Sequence, residues 1–226
     1  MQKEINGLHQ LEVSKVRHWT SSTFSFSCMR PNNFRFRSGE FVMIGLNIAD
    51  KPVLRAYSIA SPNWHEEFEF YSIKVKDGPL TSKLQQLREG DNILFRNKPV
   101  GTLVNDALLK GRKLFLFSTG TGIAPFTSII RDPETYEKFN EVILFQTCRY
   151  NNELEFGKYT FDSIFKDELL SEIVAGKLKY FPTTTREPSQ YFGRVTDWLK
   201  SKRFLEQFGT DLNPAEDRAM ICGSIE

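Results

Sequence analysis

The hydrophobic period changes once along this chain, and that change restricts it to a two-part fold. From Leu8 to about Val104 the apolar runs are short, β-branched or aromatic, and separated by turn residues: "LEVSKVRHW", "STFSFSCM", "FVMIGLN", "RAYSIAS", "EFEFYSIKV" and "DNILF". Runs of this kind predict a small closed antiparallel barrel, which removes exposed edges. In "EFEFYSIKVK" the alternation changes phase at Phe70–Tyr71, which predicts a bulge or bend. A single helix, "PLTSKLQQL", follows Gly78 with Pro79 at its start. After about Lys110 strands alternate with helices: "KLFLFS", a helix from "GIAPFTSIIRD" stopped near Pro133, "EVILFQTC", one helix over "FDSIFKDELLSEIVAG", "KLKYFPTTT", one helix over "VTDWLKSKRFLEQFG", then "RAMICG". That order implies a parallel sheet covered on both faces. The join falls in "GTLVNDALLKGRK", which divides the chain into 1–106 and 107–226.

Composition removes several function classes. A net charge of +2, with no dominant Lys/Arg run, argues against nucleic acid as a partner. Apolar runs such as "LFLF" are far too short to cross a bilayer, so no membrane association is expected. The start "MQKEINGLHQ" lacks the apolar core of a signal peptide, and the cytoplasm is the expected compartment. Cys28, Cys148 and Cys222 form no CxxC pair, and His9, His18 and His65 show no ligand spacing. No metal is expected.

Chemistry-bearing residues gather at strand ends. In "RAYSIASP", alternation sends Arg55 and Tyr57 to one face and Ala56 and Ser58 to the other. A phosphate carrying a flat ring would suit that cation and that phenol. "STGTGIAP" joins a strand to a helix, with Gly120, Thr121 and Gly122 placed to let an anion approach the backbone. The dinucleotide fingerprint is partial, because Pro125 stands where its third glycine would be, and an ordinary glycine-rich turn reads the same way. At the end of the next strand, "QTCRY" presents Arg149 where an NAD site usually has an acid. With Arg186 and Arg194 it could clamp a 2′-phosphate, or the three are solvated surface cations. Thr81 and Ser82, in "GPLTSKL", form either a second anion site or a plain helix start. Cys222 reads as a small core residue on the glycine-turn side of the sheet, and Glu153 and Glu155 as solvated carboxylates.

"RAYSIASP", "FYSIKVKDGPLTSKL", "KPVGTLV", "STGTGIAPFTSIIRDPETYEKF", "TTTREP", "FGRVTD" and "MICGS" occur in this order, and the chain resembles a bacterial ferredoxin–NADP⁺ reductase from about Leu8 to its last residue. The resemblance implies an FAD-binding antiparallel β-barrel domain over 1–106 and a Rossmann-like NADP-binding domain over 107–226. Arg55 would pair with the FAD pyrophosphate, Ala56 would adjoin the cofactor, Tyr57 would stack on the isoalloxazine, and Ser58 would lie near flavin N5. Tyr71, Ile73 and Val75 would line the pocket, largely through the backbone, and Leu80, Thr81 and Ser82 would hold the diphosphate. Gly120, Thr121 and Gly122 would receive the NADP pyrophosphate, with Thr121 also near the flavin. Arg149, Arg186 and Arg194 match the family's positions for the 2′-phosphate, and Cys222 and Gly223 would border the nicotinamide.

The implied activity is hydride exchange between NADP(H) and FAD, with single electrons passed to or from ferredoxin or flavodoxin by a monomer. Two alternatives stand beside it: an NADPH-dependent reductase serving an oxygenase or free flavin, and an inactive flavin-binding protein. Family members generally continue past "CGSIE" through another helix and strand, so the NADP domain reads as C-terminally shortened, with the Cys222 strand at a sheet edge.

Overall fold

The computed structural model describes residues 4–5, 7–209 and 211–224. The chain divides into two compact units, Met1–Val104 and Asn105–Glu226, which places Asn105 and Asp106 in the second unit. Asn105 is anchored there by its amide, which donates to Thr135 Oγ1 at 2.9 Å.

The first unit contains β1 (Glu4–Ile5), β2 (Leu8–His18), β3 (Thr23–Met29), β4 (Phe41–Ile48), β5 (Lys51–Ser58), β6 (Glu67–Ile73), the one-turn helix α1 (Thr81–Leu84) and β7 (Asn92–Phe95). The strands form an antiparallel sheet in the order β5–β4–β7–β2–β3–β6, with β1 paired to β2. Its two ends approach each other just past β5, where the Ala60 N–H donates to Glu69 O at 2.8 Å and the Glu69 N–H donates to Ser61 Oγ at 3.1 Å. Phenylalanines fill the barrel. Phe24, Phe26, Phe34, Phe68, Phe70 and Phe95 are all fully buried, and Phe34 meets Phe68 edge-on at 5.0 Å.

The expected bulge at Phe70–Tyr71 does not occur. β3 and β6 pair without a register shift from Thr23↔Ile73 to Met29↔Glu67, and the irregularity lies in β2, between Val13 and Lys15. The strand keeps its phase because Ser72, 3% exposed, takes the inward place after Phe68 and Phe70, while Ile73 remains exposed.

The second unit contains β8 (Gly111–Thr119), α2 (Ala124–Ile129), α3 (Pro133–Lys138), β9 (Phe139–Cys148), α4 (Glu155–Ile164), α5 (Glu168–Val174), β10 (Leu178–Thr184), α6 (Val195–Lys200), α7 (Lys202–Phe208) and β11 (Arg218–Cys222). The four strands are parallel, in the order β10–β9–β8–β11. Pro182 is tolerated because β10 lies at the edge of this sheet. Phe115, Phe117, Phe145, Phe181, Trp198 and Phe204 form the core between the sheet and α6–α7.

The first expected helix stops before Pro133 as the sequence indicates, but a further helix follows it, and the other two expected long helices are each broken. Pro133 starts α3 rather than simply ending its predecessor, since the Asp132 carboxylate accepts from the Glu134 N–H at 3.0 Å and caps a new helix. Asp167 does the same for α5, accepting from the Leu169 and Leu170 N–H groups. Ser201 separates α6 from α7 with an extended backbone. No helix among the described residues is long and apolar enough to cross a membrane.

Candidate functional site

In the first unit the candidate residues Arg55, Ala56, Tyr57 and Ser58 lie on β5, at one end of the strand order. Arg55 pairs with Ile44 and Tyr57 with Val42 across β4. The Arg55 side chain is exposed, donates only to Leu54 O at 2.7 Å, and has no acidic partner among the described residues. The neighbouring Ala56 is exposed, and the half-buried Ser58 hydroxyl has no hydrogen-bond partner among the described residues. The Tyr57 ring meets Phe70 edge-on at 6.4 Å, and its hydroxyl lies 3.1 Å from Ser72 Oγ. Burial raises the Tyr57 pKa, against the opposing pull of the Ser72 bond and the Arg55 charge, so the phenol is neutral at ordinary pH.

Tyr71 is buried, whereas Ile73 and Val75 are 45% and 44% exposed. Leu80 anchors the start of α1 in the core, with Thr81 and Ser82 half-buried beside it. The Ser82 N–H is taken by Gly78 O at 3.1 Å, and those of Leu80 and Thr81 take no partner among the described residues. An uncompensated cation, a ring fixed by its edge and its hydroxyl, and free amide donors fit a flat aromatic group with an anionic tail.

In the second unit the turn after β8 is tightly constrained. Gly120, Thr121 and Gly122 lie in a 3₁₀ turn (Gly120–Ile123) that precedes α2, and Pro125 falls in the first turn of that helix, where its missing N–H costs nothing. Gly122 must be glycine, because a Cβ there would stand 2.6 Å from both the Cys222 carbonyl carbon and Gly223 Cα. At Gly223, with φ +141°, an added Cβ would likewise collide with Thr119, 2.8 Å from its carbonyl oxygen, and the Thr119 Oγ1 accepts from the Ser224 N–H at 2.9 Å. The glycine turn and residues 222–224 therefore form one surface. Cys222 is half-buried there, and burial raises its thiol pKa despite an opposing backbone contact with Gly223. The thiol is thus protonated at neutral pH.

Arg149 and Arg186 leave adjacent strand ends, β9 and β10, and the Arg186 N–H donates to Arg149 O at 3.0 Å. Arg194 emerges from the far end of the loop after β10, where the Gly193 N–H donates to Thr184 O at 2.9 Å and the Arg194 N–H reaches Asp197 Oδ2 at 3.2 Å. All three side chains are exposed and lack a carboxylate partner among the described residues. Of the three, Arg186 lines a hollow of about 970 Å³, together with Tyr150, Leu154, Lys158, Tyr180 and Pro188 among others.

Sequence reasoning missed the residues that shape these loops. Glu153 is not simply solvated: its Oε2 accepts from the Arg149 and Tyr150 N–H groups at 2.9 and 3.1 Å, which fixes the turn carrying Arg149. The signal was a glutamate three residues after the turn's first position, as in a capping box. Glu155 is exposed, as expected. The fully buried Thr184 anchors the next loop, donating to Glu187 O and lying 2.7 Å from Ser189 Oγ. Glu187 Oε2 accepts from the Asn151 N–H at 2.8 Å, and no local pattern signals that contact. No group of His, Cys, Asp or Glu able to hold a metal ion occurs among the described residues.

Residues 10–104 match the family model described as oxidoreductase FAD-binding domain. The chain is 58% identical over 215 residues to a flavodoxin/ferredoxin–NADP reductase of Rhodobacter capsulatus, covering 94% of this chain and 80% of that protein. It is 49% identical over 221 residues to a ferredoxin–NADP reductase of Pseudomonas aeruginosa, covering 97% and 86%. Among solved structures, a ferredoxin–NADP⁺ reductase from Neisseria gonorrhoeae with bound FAD and NADP superposes with a TM-score of 0.86 at 28% identity, covering 98% of this chain and 87% of that one.

Proposed function

The chain belongs to the ferredoxin/flavodoxin–NADP reductase family, and from that footing we propose that it is an oxidoreductase exchanging a hydride between NADP(H) and FAD and single electrons with ferredoxin or flavodoxin. Bound FAD supplies the redox chemistry, because a flavin handles both hydride and single-electron transfer. The chain's own residues bind, orient and discriminate. We assign the first unit to FAD and the second to NADP.

Arg55 would hold the FAD pyrophosphate, with Leu80, Thr81 and Ser82 contributing donors at the start of α1. Tyr57 would stack on the isoalloxazine as a neutral phenol, with Ala56 next to it. Ser58 has a free hydroxyl to offer N5, and Tyr71, Ile73 and Val75 would border the rings. Gly120, Thr121 and Gly122 would receive the NADP pyrophosphate, with Thr121 also near the flavin. Arg149, Arg186 and Arg194 would bind the 2′-phosphate, and Cys222 and Gly223 would border the nicotinamide. With its thiol protonated, Cys222 would shape that surface by contact and not by proton transfer. The working form we propose is a cytoplasmic monomer.

The observation that carries this reading is Arg55: a permanent cation on an edge strand, with no counter-ion among the described residues, two positions from a ring that is already fixed in place. The test is to release and identify the bound chromophore and to follow NADPH oxidation with ferredoxin, flavodoxin and ferricyanide as acceptors. FAD, with turnover on a protein carrier, is the expected result. FMN, or no NADPH oxidation with any acceptor, would overturn the assignment.

A further inference from the structure

We propose that Glu187 is a positioning residue that joins the Arg149 turn and the Arg186 loop into one preassembled clamp, and thereby sets the preference for NADPH over NADH. This rests on the reading of both arginines as ligands of the 2′-phosphate. Each loop has its own internal support. Glu153 holds the Arg149–Tyr150 backbone, and Thr184 anchors the loop that carries Arg186. Those supports shape each loop but leave their relation to each other open.

That relation is fixed by contacts that cross between them. The Thr185 N–H donates to Cys148 O at 3.0 Å, and the Arg186 N–H donates to Arg149 O at 3.0 Å. Both lie next to the strand ends, where the loops begin. Beyond that point the Glu187 carboxylate accepts from the Asn151 N–H at 2.8 Å, whereas the other side-chain tie, Thr185 Oγ1 to Cys148 O, is 3.4 Å long and again close to the strands. Consecutive residues, Arg186 and Glu187, thus grip residues 149 and 151. With the outer grip removed, the turn can rock about the inner one, and the arginine separation must be re-established each time a phosphate binds. Preassembly avoids that ordering cost. Only a ligand bearing the 2′-phosphate benefits, because NADH does not engage the clamp.

An opposing effect of the same residue gives the proposal a sharp alternative. A carboxylate beside two phosphate-binding arginines repels a dianion, and if that repulsion dominated, its removal would tighten binding. Glutamine separates the two effects, since its amide oxygen can still accept from the Asn151 N–H while the charge is gone.

The experiment titrates the FAD-loaded protein with adenosine 2′,5′-bisphosphate and with AMP by calorimetry, for wild type, Glu187→Ala and Glu187→Gln, and measures KM and kcat for NADPH and NADH. Glu187→Ala is expected to weaken the bisphosphate about fivefold or more, with AMP affinity and kcat changed less than about twofold, and Glu187→Gln to restore wild-type binding or better. Unchanged or tighter bisphosphate binding in Glu187→Ala, equal loss for both ligands, or no rescue by glutamine overturns the proposal. Arg149→Ala, run alongside, tests the underlying reading separately: if it does not weaken the bisphosphate selectively, the clamp itself is wrong, whatever Glu187 does.

Discussion

The Tyr57 hydroxyl lies 3.1 Å from Ser72 Oγ, a side-chain bond between β5 and β6, the two strands at opposite ends of the barrel's pairing order. It complements the main-chain contact from Ala60 to Glu69 and fixes the ring that we assign to the flavin. Tyr57→Phe should therefore cost about 0.5–1.5 kcal/mol of stability at pH 7, while FAD stays bound. The pH dependence has a definite sign. Burial raises the folded pKa of the phenol, so its contribution is complete below the unfolded value of about 10 and is lost as pH rises through the folded value. Urea melts of wild type and Tyr57→Phe at pH 7 and above pH 10 should show the gap narrowing in alkali. A gap that widens there would contradict the burial argument.

Arg55 contributes almost nothing to the fold itself, since among the described residues its guanidinium bonds only to the adjacent carbonyl. Arg55→Ala should change stability of the flavin-free protein by less than about 0.5 kcal/mol. FAD affinity should fall by about 1.5–3 kcal/mol, roughly ten- to a hundredfold, for the loss of a charge-assisted contact. Fluorescence titration of the flavin-free protein measures this. Unchanged FAD affinity would remove Arg55 from the pyrophosphate site.

Selectivity between the two nicotinamide cofactors tests the arginines. Arg149→Ala, Arg186→Ala and Arg194→Ala should each raise KM for NADPH by about 1.5–3 kcal/mol equivalent, and that for NADH by less than about threefold. Steady-state kinetics with both cofactors decides the point. Equal losses would return these residues to the status of surface cations.

Gly120 and Gly122, two positions apart, should respond differently. A Cβ on Gly122 meets backbone at 2.6 Å, so Gly122→Ala must displace either the glycine turn or residues 222–223, at about 1–3 kcal/mol, and should weaken NADPH binding. Gly120 faces open space at φ +52°, a region asparagine enters readily. Gly120→Asn should keep near-wild-type thermal stability. Comparable destabilisation of both variants, read by thermal melts, would mean that the close approach of the turn to β11 is not what constrains Gly122.

The strands were legible because alternation or continuous apolarity marks most of each one: all six barrel runs and all four sheet runs overlap observed strands, although β5 begins at Lys51, earlier than its run, and ends at Ser58. The helix breaks at Asp167 and Ser201 were hidden because the apolar spacing continues across them; a side-chain cap marks the restart at Asp167, whereas at Ser201 only an extended residue does. Phe70–Tyr71 misled for the opposite reason. A polar residue, Ser72, occupies an inward position, so the pattern changed while the backbone did not. Motif-bearing residues such as Arg55, Gly122 and Arg149 could be singled out as candidates from type and place. Glu153 and Glu187 could not be assigned roles, because their partners are backbone N–H groups, which carry no residue identity, and for Glu187 the partner is 36 positions away.

The three thiols differ in a way that tests the placement of Cys222. Cys28 is fully buried and Cys148 is 5% exposed, and burial pushes each up to about 12, so at pH 8 roughly one in ten thousand is a thiolate. Cys222 is half-buried and also raised, mainly by burial, but alone among the three it has appreciable exposure. Iodoacetamide at pH 8 should therefore modify Cys222 first in the folded protein, and all three thiols only after denaturation, as read by peptide mass spectrometry. Because Gly122 lies against the Cys222 backbone, NADP⁺ seated on the glycine turn should slow that modification several-fold, and AMP, which lacks the nicotinamide, should not. Modification of Cys148 at the same rate as Cys222 would contradict the burial argument. Equal rates for Cys222 with and without NADP⁺ would separate it from the nicotinamide, leaving the arginine and flavin assignments untouched.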